Sequence, residues 1–203
     1  MKNVVNNTAM ENNQNRILSK ALSQLNTFID EAKQFGNENA NCCFLATSDS
    51  DKCPSGRIIT IQDINDSSLL FLANRYSGKI IQLKDNPQVG LCFYWPEIKI
   101  QVTIEGSVTT IKEDIAKTLW KKRDYYAQVS AWTANSIDQS DMERQKREIK
   151  KRFDSSKLPM ARSWAGFSIQ PQRIEFFHTN WRKTKKRERF QKGNQGWIKE
   201  EHY

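Results

Sequence analysis

Between residues 16 and 32 the apolar positions Ile17, Leu18, Ala21, Leu22, Leu25, Phe28, Ile29 and Ala32 recur three and four apart, the repeat that keeps side chains on one helical face. One amphipathic helix is therefore expected there, packed by a single side. The pattern then changes. Short runs rich in β-branched and aromatic residues occupy 42–47, 57–62, 69–73 and 89–95, divided by Ser/Asp/Lys, Asn/Asp/Ser and Asn-Pro clusters that favour turns. Residues 98–106 and 108–111 continue this series of strands. Residues 78–84 read as a short helix that stops before Asn86-Pro87, because the residue preceding a proline is steered away from helical angles. Residues 113–123 and the highly charged 141–153 read as two further helices. Residues 166–169 and 173–177 read as late strands, and 196–199 close the sheet. The Asn-rich, weakly hydrophobic residues 1–15 read as a mobile N-terminal arm.

Many antiparallel strands with few helices argue for a barrel, since closure removes exposed strand edges. The fold class expected is mainly β with flanking helices (α+β), organised as a single domain over 16–203. A length of 203 residues suits one well-cored domain better than two small ones. Ten Phe, six Trp and five Tyr supply the bulky anchors that disordered chains lack. No run approaches the roughly 18 apolar residues needed to span a bilayer, and the first thirty residues carry no apolar signal core. No membrane association and a cytoplasmic location are the expectation. Cys42, Cys43, Cys53 and Cys92 form no C-x-x-C pair and have only two histidines to help them, so no metal is expected and the thiols read as buried or spare.

The formal net charge is +9, and residues 181–192 (WRKTKKRERFQK) hold seven basic residues against one acidic. Charge alone leaves three readings open: a solvated face, a nucleic-acid patch, or a pocket for a phosphorylated small molecule. The interleaved Trp181 and Phe190 complete no nucleic-acid motif, so nucleic acid is the weakest of the three.

Five segments in order, GRIITIQ (56–62), LLFLANRYSGKIIQLKDNP (69–87), FYWPEIKIQVTIEG (93–106), KKRDYYAQVSAW (121–132) and IEFF (174–177) with a downstream RERF (187–190), resemble the pyridoxine (pyridoxamine) 5'-phosphate oxidase family. The resemblance covers about residues 40–199. It implies a split β-barrel of the FMN-binding type, a homodimer with FMN at the interface, and a phosphorylated small-molecule substrate. By that resemblance the strand Arg57, Ile58, Ile59, Thr60, Ile61, Gln62 is the first flavin-binding stretch, with Arg57 on the flavin phosphate. A guanidinium suits that task because it presents a planar fork of donors. Lys79 matches a second cation near the phosphate, Gln101 a glutamine that bonds the isoalloxazine ring, Arg189 the last flavin-contacting arginine, and Phe177 stands where a tryptophan is usual. Ser136 falls where a Gln-Ser pair begins, with Gln139-Ser140 as the alternative.

Departures from the family fall at both the flavin-contacting and the substrate-contacting positions, and the first of them thin the FMN contacts that the resemblance implies. Gln62 replaces a lysine that touches both flavin and substrate; Leu72 and Ala73 replace a Tyr-Thr type pair; Gly78 replaces a phosphate-binding arginine. Arg123 matches a substrate-phosphate arginine, while Leu119 and Ala127 stand where a tyrosine and a serine are expected. The closing Arg-x-His motif becomes Lys185-Lys186-Arg187, which makes Lys185 and Arg187 the candidate catalytic and substrate-binding pair but removes the imidazole. Simpler readings stand beside these. Arg57 could be an edge charge, Lys79 a solvated lysine, Gln101 a backbone-bonding strand residue, and Arg123 a helix-end cation favoured by the helix dipole. Three functions follow: oxidation of pyridoxamine or pyridoxine 5'-phosphate with hydride passing to flavin N5 and reoxidation by dioxygen; FMN-dependent oxidation of another aromatic compound, as of phenazine precursors; or flavin binding without catalysis.

Overall fold

The computed structural model describes residues 2–134, 136–153, 157–178, 186–194 and 196–202, with side chains from residue 16 to 201 within those ranges. Helix α1 (Lys2–Gln34) begins earlier than the apolar repeat indicates, so the segment read as a mobile arm has helical backbone. Its face Leu18, Ala21, Leu22, Leu25, Ile29 and Ala32 is buried and packs toward the last two strands of the chain, Arg187–Gly193 and Gly196–His202. Strands β1 (Cys42–Ser48), β2 (Pro54–Ile64) and β3 (Leu69–Asn74) precede helix α2 (Gly78–Asp85). Strands β4 (Gln88–Trp95) and β5 (Ile100–Thr110) form the next hairpin. Helices α3 (Glu113–Lys122), α4 (Tyr125–Trp132) and α5 (Gln139–Arg152) lead into β6 (Trp164–His178), β7 (Arg187–Gly193) and β8 (Gly196–His202).

The described strands form one antiparallel sheet in the order β3-β2-β1-β4-β5-β6-β7-β8, and β3 also pairs with β6. Six strands therefore close into a barrel. The long strand β6 explains how: its first half, Trp164 to Ile169, pairs with β3 and shuts the barrel, whereas Arg173 to Phe177 pair with β7 and carry the sheet outward. Strand β5 runs beside both halves, with a register shift at Glu105/Gly106 where Gly106 faces Pro171. Proline lacks the ladder donor and is accommodated at such an irregularity. A Cβ on Gly106 would stand 2.3 Å from the Gln170 carbonyl oxygen, so only glycine fits.

Several boundaries differ from the sequence pattern. The expected strand pairs 98–106/108–111 and 166–169/173–177 are each one continuous strand, because the shift at Gly106 and Pro171 bends the ladder without ending it. Ile98 belongs to the preceding turn, closed by Lys99 at φ 57°. Helix α4 carries little amphipathic signal in its eight residues; the Asp124 carboxylate caps it by accepting from the Ala127 amide at 2.8 Å. The main core fills the barrel and the underside of α1. A second cluster, Leu70, Leu72, Ala116, Leu119, Trp120, Ala131 and Ala161, lies between α3, α4 and the outside of β3. No helix among the described residues is long and apolar enough to cross a membrane.

Candidate functional site

On β2, Ser55 and Arg57 are two residues apart and so share a face of the strand. Antiparallel pairing sets Thr47 of β1 directly opposite Ser55. Arg57 uses both neighbours: Nη1 donates to Thr47 Oγ1 at 2.6 Å and to the Ser55 carbonyl at 3.3 Å, and Nη2 donates to Ser55 Oγ at 2.6 Å. The two hydroxyls donate onward to Gln82 Oε1 of α2, at 2.6 and 2.9 Å. Neutral oxygens alone hold this guanidinium.

Lys79, in the first turn of α2, lies close enough to Arg57 to feel its charge. Burial first, and the Arg57 charge second, hold the Lys79 ammonium below the usual lysine range. Burial also lowers Arg57. Among the described residues no carboxylate pairs with either cation. Two half-buried like charges without a counter-ion are unfavourable until an anion joins them. Gly78 adds room, since a Cβ there would meet nothing within 4 Å. The donor set fits a phosphate group.

A second group lies on the outer face of the split half of the sheet. Register sets Gln101 of β5 beside Phe177 of β6, and Phe177 beside Arg187 of β7. The Arg187 guanidinium lies 4.7 Å from the Phe177 ring centroid, a cation–π contact. One pleat along, Thr103, Glu175, Arg189 and Glu200 form a parallel row. Glu175 accepts from Arg187 Nη1 at 2.9 Å and from Arg189 Nε and Nη2 at 3.2 and 3.0 Å. Lys185 lies outside the described residues, as does Trp181.

Arg123 forms a third group at the end of α3. Its guanidinium is 4.8 Å from the Trp164 centroid and 5.6 Å from that of Trp120, and Nη2 donates to the Ala127 carbonyl at 3.2 Å. Its Nε and the Trp164 Nε1 are buried without a partner. Burial lowers the Arg123 pKa, with the neighbouring Asp124 carboxylate opposing. The wholly buried Gln128 fixes the turn by donating to the Trp120 and Arg123 carbonyls, at 2.9 and 3.3 Å, and accepting from the Leu158 amide at 2.6 Å. No described hydrogen bond or ion pair joins the three groups.

The remaining expected positions divide by face. Ile58 and Thr60 point outward and are exposed, whereas Ile59 and Ile61 are buried in the barrel. Gln62 lines a polar cleft of about 230 Å³ against α1, with Asn26, Asp30 and Asn41. The Leu72 and Ala73 side chains are core, Leu72 in the second cluster with Leu119. Ser136 Oγ donates to the Thr133 carbonyl at 2.8 Å and Ser140 Oγ to Asp138 at 2.8 Å, so both candidate hydroxyls at this position are engaged in helix ends. Sequence reasoning passed over Thr47, Ser55, Gln82, Glu175 and Gln128. Ser55 was findable from its two-residue spacing to Arg57; the others depend on strand register or on packing between distant segments.

A closed six-strand barrel whose last long strand also carries an outer hairpin defines a split-barrel protein. The chain belongs to the pyridoxamine 5'-phosphate oxidase family, whose model matches residues 28–158. Among its relatives are pyridoxine/pyridoxamine 5'-phosphate oxidases of Leptospira biflexa, 29% identical over 88% of this chain and 86% of the relative, and of Anaeromyxobacter dehalogenans, 32% identical over 70% and 73%. Similar solved structures include PhzG from Burkholderia lata 383 in complex with tetrahydrophenazine-1-carboxylic acid, with TM-score 0.79, 21% identity and coverage of 89% and 90%. A pyridoxamine 5'-phosphate oxidase-related, FMN binding protein from Nostoc punctiforme aligns with TM-score 0.69, 18% identity and coverage of 86% and 94%.

Proposed function

We propose that the protein is an FMN-dependent oxidase of a phosphorylated, pyridoxamine- or pyridoxine-type substrate. The observation that carries this reading is the Arg57–Lys79 pair, two cations that face no carboxylate among the described residues, with Arg57 braced by neutral hydroxyls. Arg57 and Lys79 would hold the flavin phosphate, and Gln101, Phe177 and Arg189 would border the ring. Arg123, Lys185 and Arg187 would hold the substrate and its anionic group. When bound, the flavin supplies hydride acceptance at N5 and reoxidation by dioxygen; the protein supplies binding, orientation and electrostatics. Arg187 replaces the family's imidazole with a group that stays protonated, so it orients and neutralises charge and takes no proton.

The exposed apolar side chains Phe44, Ile58 and Tyr94 on the outer sheet face, 46%, 65% and 57% exposed, support burial against a second copy. A second reading, oxidation of a different aromatic compound, is favoured by Leu119 and Ala127, which offer no hydroxyl near Arg123. Both readings are tested by the absorption spectrum of the purified protein, followed by anaerobic pyridoxamine 5'-phosphate. Bleaching of a flavin spectrum supports the first. A flavin spectrum that persists favours the second, and a protein that takes up no added FMN overturns both.

A further inference from the structure

We propose that Glu175 is the positioning residue of the ring end of this site: its carboxylate fixes Arg187 and Arg189 as a pair and sets the net positive charge that they present. The inference rests on the flavin-binding reading above.

Arg187 and Arg189 lie on one face of β7, two residues apart, where side chains of like charge repel. Glu175 on β6 divides its oxygens between them, Oε1 to Arg187 at 2.9 Å and Oε2 to Arg189 at 3.0 Å. Its side chain is 13% exposed, so this is a partly desolvated contact rather than a solvated surface pair. Arg189 has a second acid, Glu200, at 3.8 Å. Among the described residues Arg187 pairs with no other acid and is instead seated on Phe177. Phe177 in turn neighbours Gln101 in the sheet. Glu175 thus decides whether the Arg187 cation stays over Phe177 or swings to solvent, and it cancels one of two charges.

The consequence is electrostatic. Two electrons and one proton entering a neutral flavin leave an anionic reduced ring, which nearby positive charge stabilises. A carboxylate at this position moderates that effect.

The test uses full-length protein loaded with FMN, and compares flavin midpoint potentials of wild type, Glu175→Gln, Arg187→Gln and the double variant. Glu175→Gln should change the ratio of reduced to oxidised flavin at a fixed ambient potential more than tenfold toward reduced, about 30 mV for a two-electron couple. Arg187→Gln should move it the opposite way, and the double variant should return to within threefold of wild type. If Glu175→Gln fails to fold, Arg187→Gln and the double variant carry the test, because the double leaves no charge unpaired. Variants that retain flavin at the wild-type potential, whatever their melting temperatures, overturn the proposal. Flavin uptake by wild type is scored first: its absence sinks the functional reading and this one together, whereas uptake with unmoved potentials sinks only the role of Glu175.

Discussion

Replacing Arg57 with alanine separates a phosphate-binding arginine from a structural one. A guanidinium carries five N–H donors. Three are spent inside the protein, on Thr47, the Ser55 carbonyl and the Ser55 hydroxyl, which leaves two for a ligand. At about 1.5–3 kcal/mol for each charged hydrogen bond, their loss weakens FMN binding by roughly 3–6 kcal/mol, at least about a hundredfold in Kd. The unliganded protein should barely notice. Thr47 and Ser55 keep Gln82 as an acceptor, and Lys79 loses a like-charged neighbour, so the stability change should stay within about 1 kcal/mol. The assay titrates FMN and riboflavin into flavin-free protein and follows flavin fluorescence, with a chemical melt of each variant alongside. Riboflavin lacks the phosphate, so its affinity should be unchanged by Arg57→Ala. An FMN affinity that moves less than about fivefold, or an equal loss for riboflavin, refutes the reasoning.

Lys79 adds a pH dependence. Its lowered pKa means that the free protein gives up this proton below the ordinary value of 10.5. FMN affinity should be full below the folded-state pKa and should fall as the pH rises through it, while Lys79→Arg keeps its affinity; a flat wild-type profile counts against the lysine. In that same window the unfolded chain binds more protons, so the stability of flavin-free protein should rise with pH, a trend that Lys79→Met removes. Gln128→Leu leaves the Leu158 amide and the Arg123 carbonyl without partners in a buried turn, while the Trp120 carbonyl keeps the Arg123 amide, and should cost about 2–4 kcal/mol in urea denaturation; a loss under about 0.5 kcal/mol contradicts that bonding scheme. Among the thiols, exposed Cys53 should be alkylated first in native protein and Cys43 last, since burial pushes the Cys43 thiol pKa up; peptide mass mapping that finds Cys43 modified before denaturation overturns this order.

The legible parts of the fold were those written in local period. The α1 face from Leu18 to Ala32 and the barrel strands follow directly from spacing, and the Asn86-Pro87 stop on α2 follows from proline sterics. What spacing hid was continuity. Strands β5 and β6 each look broken, because a bulge interrupts the alternation without interrupting the ladder. Helix α4 is held by the Asp124 cap and by Gln128, contacts whose partners lie as far away as Leu158. At the site, Arg57 and Lys79 were nameable from motif resemblance, yet the structure alone brings them beside one another and shows that no acid intervenes. Glu175 was invisible for the converse reason: an acid in a strand of alternating apolar residues reads as solvent-facing until β7 is laid against it in register.

Two departures from the family pattern, Leu72 at a flavin-contacting position and Leu119 at a substrate-contacting one, share one packing unit. Leu72 and Leu119, each standing where the family has a tyrosine, lie about 50 residues apart in sequence yet share the buried cluster with Leu70, Trp120 and Ala131. Exchanging a hydroxyl-bearing ring for leucine at either position alone would leave a cavity or a partnerless polar group; exchanging both lets the region collapse into apolar packing. Beside that cluster the indoles of Trp120 and Trp164 meet edge to face with centroids 5.7 Å apart, and Arg123 packs against this pair from one side. Arg123 therefore rests on indole rings and a backbone carbonyl rather than on side-chain hydroxyls. At Arg57 the surroundings are polar instead: Thr47, Ser55 and Gln82 frame the guanidinium, although Gly78 nearby stands where the family resemblance implies an arginine. The two arginines therefore sit in different environments, Arg57 held by neutral hydroxyls and Arg123 against two indoles, and a substitution at one should leave the hydrogen bonds of the other intact.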